Sequence, residues 1–80
     1  MVTVLIKAGG LLTDYLKPDT DAHTRRVEAP DGETLRQILE SIAVPPGRVA
    51  AASANGSLIA LDYVPRDGDA ITLIPPVQGG

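Results

Sequence analysis

The chain has 80 residues, seven Lys and Arg against ten Asp and Glu for a formal net charge of −3, and no cysteine. A chain of this length forms one small domain that buries only about 60–65% of its unfolded surface, too little to enclose a catalytic chamber. The absence of cysteine excludes a disulfide framework, a thiolate metal site and a cysteine nucleophile, and basic residues scattered without stacking aromatics argue against nucleic acid as a partner.

Phe and Trp are absent and the only aromatics are Tyr15 and Tyr63, so Leu, Ile, Val and Ala must supply the core. Met1 leads directly into a strand pattern containing Lys7, and no apolar run approaches the ~20 residues of a membrane span. The expectation is a soluble cytoplasmic domain without a membrane partner.

Val2, Val4 and Ile6 alternate with Thr3, Leu5 and Lys7, the period of a half-buried strand, and Gly9-Gly10 punctuates its end. Leu11, Leu12, Tyr15 and Leu16 follow at the spacing of a short helical turn that caps one end of the core and stops at Lys17-Pro18. Arg25 to Ala29 is a second strand with Val27 inward, followed by the turn Pro30-Asp31-Gly32. Thr34 and Gln37 then form a capping box, and Leu35, Ile38, Leu39 and Ile42 make one apolar stripe of a helix. Val44-Pro45-Pro46-Gly47 is expected to end that helix, because a residue before proline leaves helical geometry.

Val49 to Ala54 reads as an alanine-rich strand, Asn55-Gly56 as a tight hairpin turn and Ser57 to Leu61 as the returning strand. Asp67-Gly68-Asp69 is a further turn before the β-branched strand Ala70 to Ile74. Two strands, a crossover helix and further strands predict an α+β fold of the β-grasp type, with a mixed sheet of about four or five strands on one main helix and the first and last strands parallel neighbours. Residues 1–74 are expected to form this domain and residues 75–80 an extended tail.

The tail carries the most specific signal. Pro75-Pro76 favours extended polyproline geometry, so residues Pro75 to Gly80 reach roughly 19 Å beyond the sheet at about 3.1 Å per residue. Val77 and Gln78 come next, and Gly79 and Gly80 remove every side chain from the tip, leaving a carboxylate narrow enough for a tunnel in a second protein. If Val2, Val4, Ile6, Ile71 and Leu73 face the helix, then Leu5, Thr72 and Ile74 face the other side of the sheet and, with Val77, form a partner-docking patch.

The remaining polar residues have simpler readings. His23 has no second metal-ligating neighbour and takes no role, and Asp67 and Asp69 are sufficient as turn formers without metal. Asp14, Asp19 and Asp21 read as a solvated acidic loop, and Arg25-Arg26 as a charged strand edge that discourages pairing. Tyr15 and Tyr63 read as edge-of-core packing with hydroxyls at the surface. One histidine cannot furnish a serine-histidine-carboxylate set.

The first strand, the capped helix, Asn55-Gly56, Asp67-Gly68-Asp69 and the closing Pro75-Pro76-Val77-Gln78-Gly79-Gly80 together resemble the ubiquitin-like sulfur carriers of the MoaD/ThiS type, over essentially the whole chain. Among them the ending is most similar to that of the molybdopterin synthase small subunit. The resemblance implies a carrier, not a catalyst: the Gly80 carboxylate is adenylated by a ubiquitin-activating-type enzyme, a sulfur donor displaces AMP, and the resulting thiocarboxylate delivers sulfur to an acceptor such as the molybdopterin synthase large subunit. ATP and Mg²⁺ then belong to the activating enzyme, and no cofactor or metal is held permanently by the chain. Thiamine synthesis, tRNA thiolation and ubiquitin-like protein tagging are the alternative destinations.

Overall fold

The computed structural model describes residues 1–76; Val77, Gln78, Gly79 and Gly80 lie outside the described residues. In chain order the elements are β1 (Val2–Ala8), α1 (Leu12–Leu16), β2 (Thr24–Ala29), α2 (Leu35–Ser41), a 3₁₀ turn (Pro46–Arg48), β3 (Ala51–Ala54), β4 (Ser57–Ile59) and β5 (Ala70–Ile74). The five strands form one mixed sheet in the order β2-β1-β5-β3-β4. Strands β1 and β5 are parallel at its centre, and the other pairs are antiparallel. This is the β-grasp architecture expected from the element order.

The alternation in β1 places Val4, Ile6 and Ala8 in the core, and β5 contributes Ile71 and Leu73. Helix α2 covers them with Leu35, Ile38 and Leu39, all fully buried. Its first turn is completely satisfied, which a short helix needs because its leading N–H groups have no internal partner. Thr34 accepts from the Gln37 N–H at 3.2 Å while Gln37 accepts from the Thr34 N–H at 2.9 Å, closing the predicted capping box. The Leu35 and Arg36 N–H groups donate to the carbonyls of Tyr63 and Leu61 at 2.8 and 2.9 Å. That requirement explains why β4 stops at Ile59 instead of continuing to Leu61: the chain leaves the sheet to serve the helix.

The helix ends earlier than the proline pair implies. Ala43 adopts a left-handed φ of 62°, the Ala43 N–H reaches the Glu40 carbonyl at 3.2 Å, and the Val44 N–H reaches the Leu39 carbonyl at 2.9 Å. This is a Schellman stop with alanine where glycine is usual, and Val44 is buried as its apolar follower. Pro46 instead opens the 3₁₀ turn, so β3 starts at Ala51, two residues later than Val49. The Asn55-Gly56 turn is as expected: φ values of 51° and 88° give the tight hairpin, with Ala54 opposite Ser57.

Candidate functional site

Strand β5 determines where the tail leaves the domain. It runs parallel to β1, so Ile74 emerges at the same end of the sheet as Ala8, and Pro75 and Pro76 continue outward beside the β1–α1 turn. A Cβ on Gly10, whose φ is +59°, would lie 3.6 Å from Cγ of Pro75, so the turn runs alongside the first proline ring. The predicted tail residues Val77, Gln78, Gly79 and Gly80 lie outside the described residues.

The open face of the sheet contains Leu5 and Ile74 as exposed side chains and Thr72 as a half-buried one. They do not form one tight cluster. Leu5 pairs with Ala70 and Lys7 with Thr72, so Leu5 stands level with the start of β5, roughly 13 Å along the sheet from Ile74. Thr72 and Ile74 are neighbours on one strand at the tail end, whereas Leu5 stands level with Ala70, with Lys7 and Thr72 between it and Ile74. The face also extends where residue pattern carried no signal: Leu58, 78% exposed on edge strand β4, stands opposite Ser53, which in turn pairs with Thr72.

Helix α1 provides a second unanticipated surface. Leu12 and Leu16 cap the core, but Leu11 remains 62% exposed and Tyr15 38% exposed. With Asp14, Arg48, Pro75 and Pro76 they line a groove of about 520 Å³ at the root of the tail. The signal was present in the pattern, since two apolar pairs, Leu11/Tyr15 and Leu12/Leu16, each at spacing i, i+4, place apolar groups on both sides of one short helix. Only one side can face the core.

The opposite end of β5 is held by a buried carboxylate. Asp69, 7% exposed, accepts from the Tyr63 hydroxyl at 2.6 Å, the Arg66 N–H at 2.9 Å and the Asn55 amide at 3.0 Å. The Arg66 N–H, then the Tyr63 hydroxyl and the Asn55 amide, hold this carboxyl below the usual carboxylate range. The same bond raises the Tyr63 phenol, because ionising it would remove the proton that Asp69 accepts. The Tyr63 hydroxyl is therefore engaged instead of lying free at the surface, and Asp69 braces the hairpin turn against β5 in addition to forming its own turn. Asp67 similarly accepts from the Thr3 N–H at 2.8 Å, tying the start of β1 to the same loop.

The acidic loop after α1 is also more organised than a solvated run. Asp19 accepts from the Arg26 N–H at 3.0 Å and Asp21 from the His23 N–H at 2.8 Å. These backbone donors are the leading reason both carboxyls lie below their usual range. His23 is exposed, and Arg25 donates to the Leu16 carbonyl at 3.1 Å from edge strand β2. Among the described residues no group of three His, Asp or Glu is placed to hold a metal ion, and no described helix is long and apolar enough to cross a membrane.

The same arrangement recurs in known proteins. The ThiS family model matches residues 15–80. Subunit 1 in a complex of subunits 1 and 2 of the molybdopterin-converting factor from Helicobacter pylori aligns at 30% identity over 99% of this chain and 100% of that chain, with a TM-score of 0.60. A putative molybdopterin converting factor subunit 1 from Pyrococcus furiosus aligns at 20% identity over 96% and 100% of the two chains, with a TM-score of 0.72. Small archaeal modifier protein 1 from Haloferax volcanii gives 23%, 96%, 100% and 0.74 for the same quantities. A search of curated proteins returns no match. With the fold, the parallel central strands and the family match in agreement, the chain belongs to the ThiS/MoaD family of ubiquitin-like sulfur carriers, small carrier subunits and not catalysts.

Proposed function

We propose that this protein carries sulfur as a thiocarboxylate on Gly80 and delivers it for molybdopterin synthesis. The observation that carries the pathway assignment is the 30% identity, over nearly the full length of both chains, to subunit 1 of a molybdopterin-converting factor that forms a complex with subunit 2. The exit of β5 into Pro75 and Pro76 supports the division of labour between residues 1–74 as scaffold and residues 75–80 as delivery arm.

The chemistry derives from the carboxylate. An α-carboxyl with an ordinary pKa of about 3.3–3.7 is ionised at neutral pH and resists nucleophiles. Attack of its oxygen on the α-phosphorus of ATP, in an adenylating enzyme that supplies Mg²⁺, gives an acyl-adenylate and releases pyrophosphate. A sulfur donor at the sulfide oxidation level then attacks the Gly80 carbonyl and expels AMP, leaving the thiocarboxylate. In the acceptor, that sulfur attacks an electrophilic carbon of the substrate and displaces the oxygen group bonded there, which leaves protonated, and water then cleaves the Gly80 carbonyl–sulfur bond. The sulfur remains on the substrate and the carboxylate is regenerated. Nothing is oxidised or reduced on the carrier, and its own contribution is a reacting end of two glycines that bears no side chain. Thr72 and Ile74, with Val77 farther along and Leu5 more remote, supply the docking face around its root.

The pathway assignment is tested by offering the loaded carrier to a purified molybdopterin synthase large subunit together with its sulfur-free pterin precursor. Single-turnover consumption of the thiocarboxylate with formation of molybdopterin is expected. Turnover only with a thiazole-forming or tRNA-thiolating acceptor would move the protein to one of those pathways, and branched peptides ending in Gly79-Gly80 would assign it to protein tagging.

A further inference from the structure

The turn between β3 and β4 joins a conformational requirement to a chemical one. Positive φ at both of its central residues favours asparagine followed by glycine, and Asn55 is the only asparagine in the chain. Gly56 carries no side chain to shield its backbone nitrogen, the arrangement in which that nitrogen most readily attacks the amide of a preceding asparagine. Both residues are exposed, so water reaches them. The Asn55 side chain is nevertheless held. Its Nδ2 donates to Oδ1 of Asp69 at 3.0 Å, its Oδ1 accepts from the Ala70 N–H at 3.1 Å, and its own N–H donates to the Ala70 carbonyl at 2.9 Å. All three bonds run to the start of β5, so turning Cγ of Asn55 onto the Gly56 nitrogen requires the two side-chain bonds to break.

We infer that Asn55 is a site of spontaneous deamidation gated by this hairpin: it stays intact while bonded to Asp69 and Ala70, converts when the hairpin opens, and once converted weakens the brace at the start of β5. In the first step the Gly56 nitrogen forms a bond to Cγ of Asn55, the Cγ–Nδ2 bond breaks, and ammonia leaves with the Gly56 amide proton. Water then opens the cyclic imide. Opening at Cγ leaves an aspartate, and opening at the main-chain carbonyl leaves an isoaspartate whose backbone runs through Cγ. No oxidant or reductant takes part. The aspartate puts a carboxylate oxygen where Nδ2 donates to Asp69, so two like charges replace a hydrogen bond. The isoaspartate adds a backbone atom to a two-residue turn that sets the register of Ala54 opposite Ser57. Neither product regains the amide, so each opening that leads to reaction is recorded permanently. The opening itself is assigned to a weakly held part of the sheet, because β4 is an edge strand of only three residues, Ser57–Ile59.

The test incubates the full chain, folded in buffer and unfolded in guanidinium chloride, at one temperature and one near-neutral pH, and follows the tryptic peptide of residues 49–66 by mass and fragmentation. Conversion of the Asn55 amide to acid is expected to run at least ~10-fold slower in the folded chain, since the reaction waits on the opened fraction. Asn55→Asp is expected to melt at least ~4 °C below the parent. It should also melt below Asn55→Gly, which accepts the positive φ and loses the side-chain bonds without adding a charge. The converted fraction of the aged parent, separated by anion exchange, should show a lowered midpoint as well, a reading that relies on no variant. Asn55→Gly should hold its midpoint through the same ageing. Folded and unfolded rates within twofold of each other, an Asn55→Asp midpoint equal to or above that of Asn55→Gly, or a converted fraction that melts with the parent would each overturn the inference.

Discussion

Replacing Asp69 with alanine removes one buried carboxylate that serves three donors, the Tyr63 hydroxyl, the Arg66 N–H and the Asn55 amide. Hydrogen bonds to a charged group contribute about 1.5–3 kcal/mol each, but side-chain donors near the surface regain water when the acceptor is lost. The least recoverable loss is the Arg66 N–H, with partial losses from the other two, so the net cost at pH 7 is about 3 kcal/mol. For a domain of this size each kcal/mol moves the thermal midpoint by roughly 4–8 °C, so the variant should melt roughly 12–24 °C below the parent. The sign of the pH dependence is set by the depressed carboxyl. Its stabilisation is fully present above the unfolded value of about 3.9 and is lost as pH falls through the lower folded value. The gap between variant and parent, measured by denaturant unfolding from pH 7 down to pH 2, should therefore narrow in acid. Asp19 and Asp21 titrate in both proteins and cancel in the difference. A gap below 1 kcal/mol at pH 7, or one that stays constant throughout the acid range, would refute the assignment of Asp69 as the brace at the start of β5.

Removing the cap of α2 with Thr34→Ala should cost about 1 kcal/mol, read as a lowered denaturant midpoint with unchanged slope. Ala43→Gly should stabilise by about 0.5 kcal/mol, because relief of the left-handed alanine, about 1–2 kcal/mol, exceeds the added freedom of glycine in the unfolded chain. A destabilised Ala43→Gly would mean that the Schellman stop is misread. Ile74→Asp, at an exposed position beside the tail, should leave the midpoint within about 0.5 kcal/mol of the parent while reducing the initial rate of adenylation at sub-saturating enzyme. Equal rates would exclude the open face near Ile74 from docking.

The fold was legible where the local signals agreed with one another. Alternation in β1, the Thr34/Gln37 box, Asn55-Gly56 and the β-branched run Ala70 to Ile74 each point to the element that forms, and their order leaves few topologies. The differences arise where tertiary bonding overrides local pattern. Ile59 ends β4 because the carbonyls of Leu61 and Tyr63 are recruited by the first turn of α2, and no property of Leu61 itself signals that. Ala43 accepts a conformation that propensity assigns to glycine, so the helix has already stopped before the chain reaches Pro45 and Pro46. At the site, strand phase identified Leu5, Thr72 and Ile74 as outward but not their spacing along the sheet, because the β1–β5 register depends on connections that residue pattern does not encode. The groove required Arg48, Tyr15 and Pro76 to be brought together from three parts of the chain.

The central claim is that the domain exists to present the Gly80 carboxylate for activation. Its most direct test is the intact mass of the purified chain after incubation with ATP, Mg²⁺, a cognate adenylating enzyme and a sulfur donor. The expected product has one oxygen replaced by sulfur, with the exchange mapped to Gly80 by fragmentation, absent without ATP, and lost when Gly80 is deleted from a chain that still folds. An unchanged mass under conditions that thiocarboxylate another member of the family, or sulfur located at any residue other than Gly80, would contradict it.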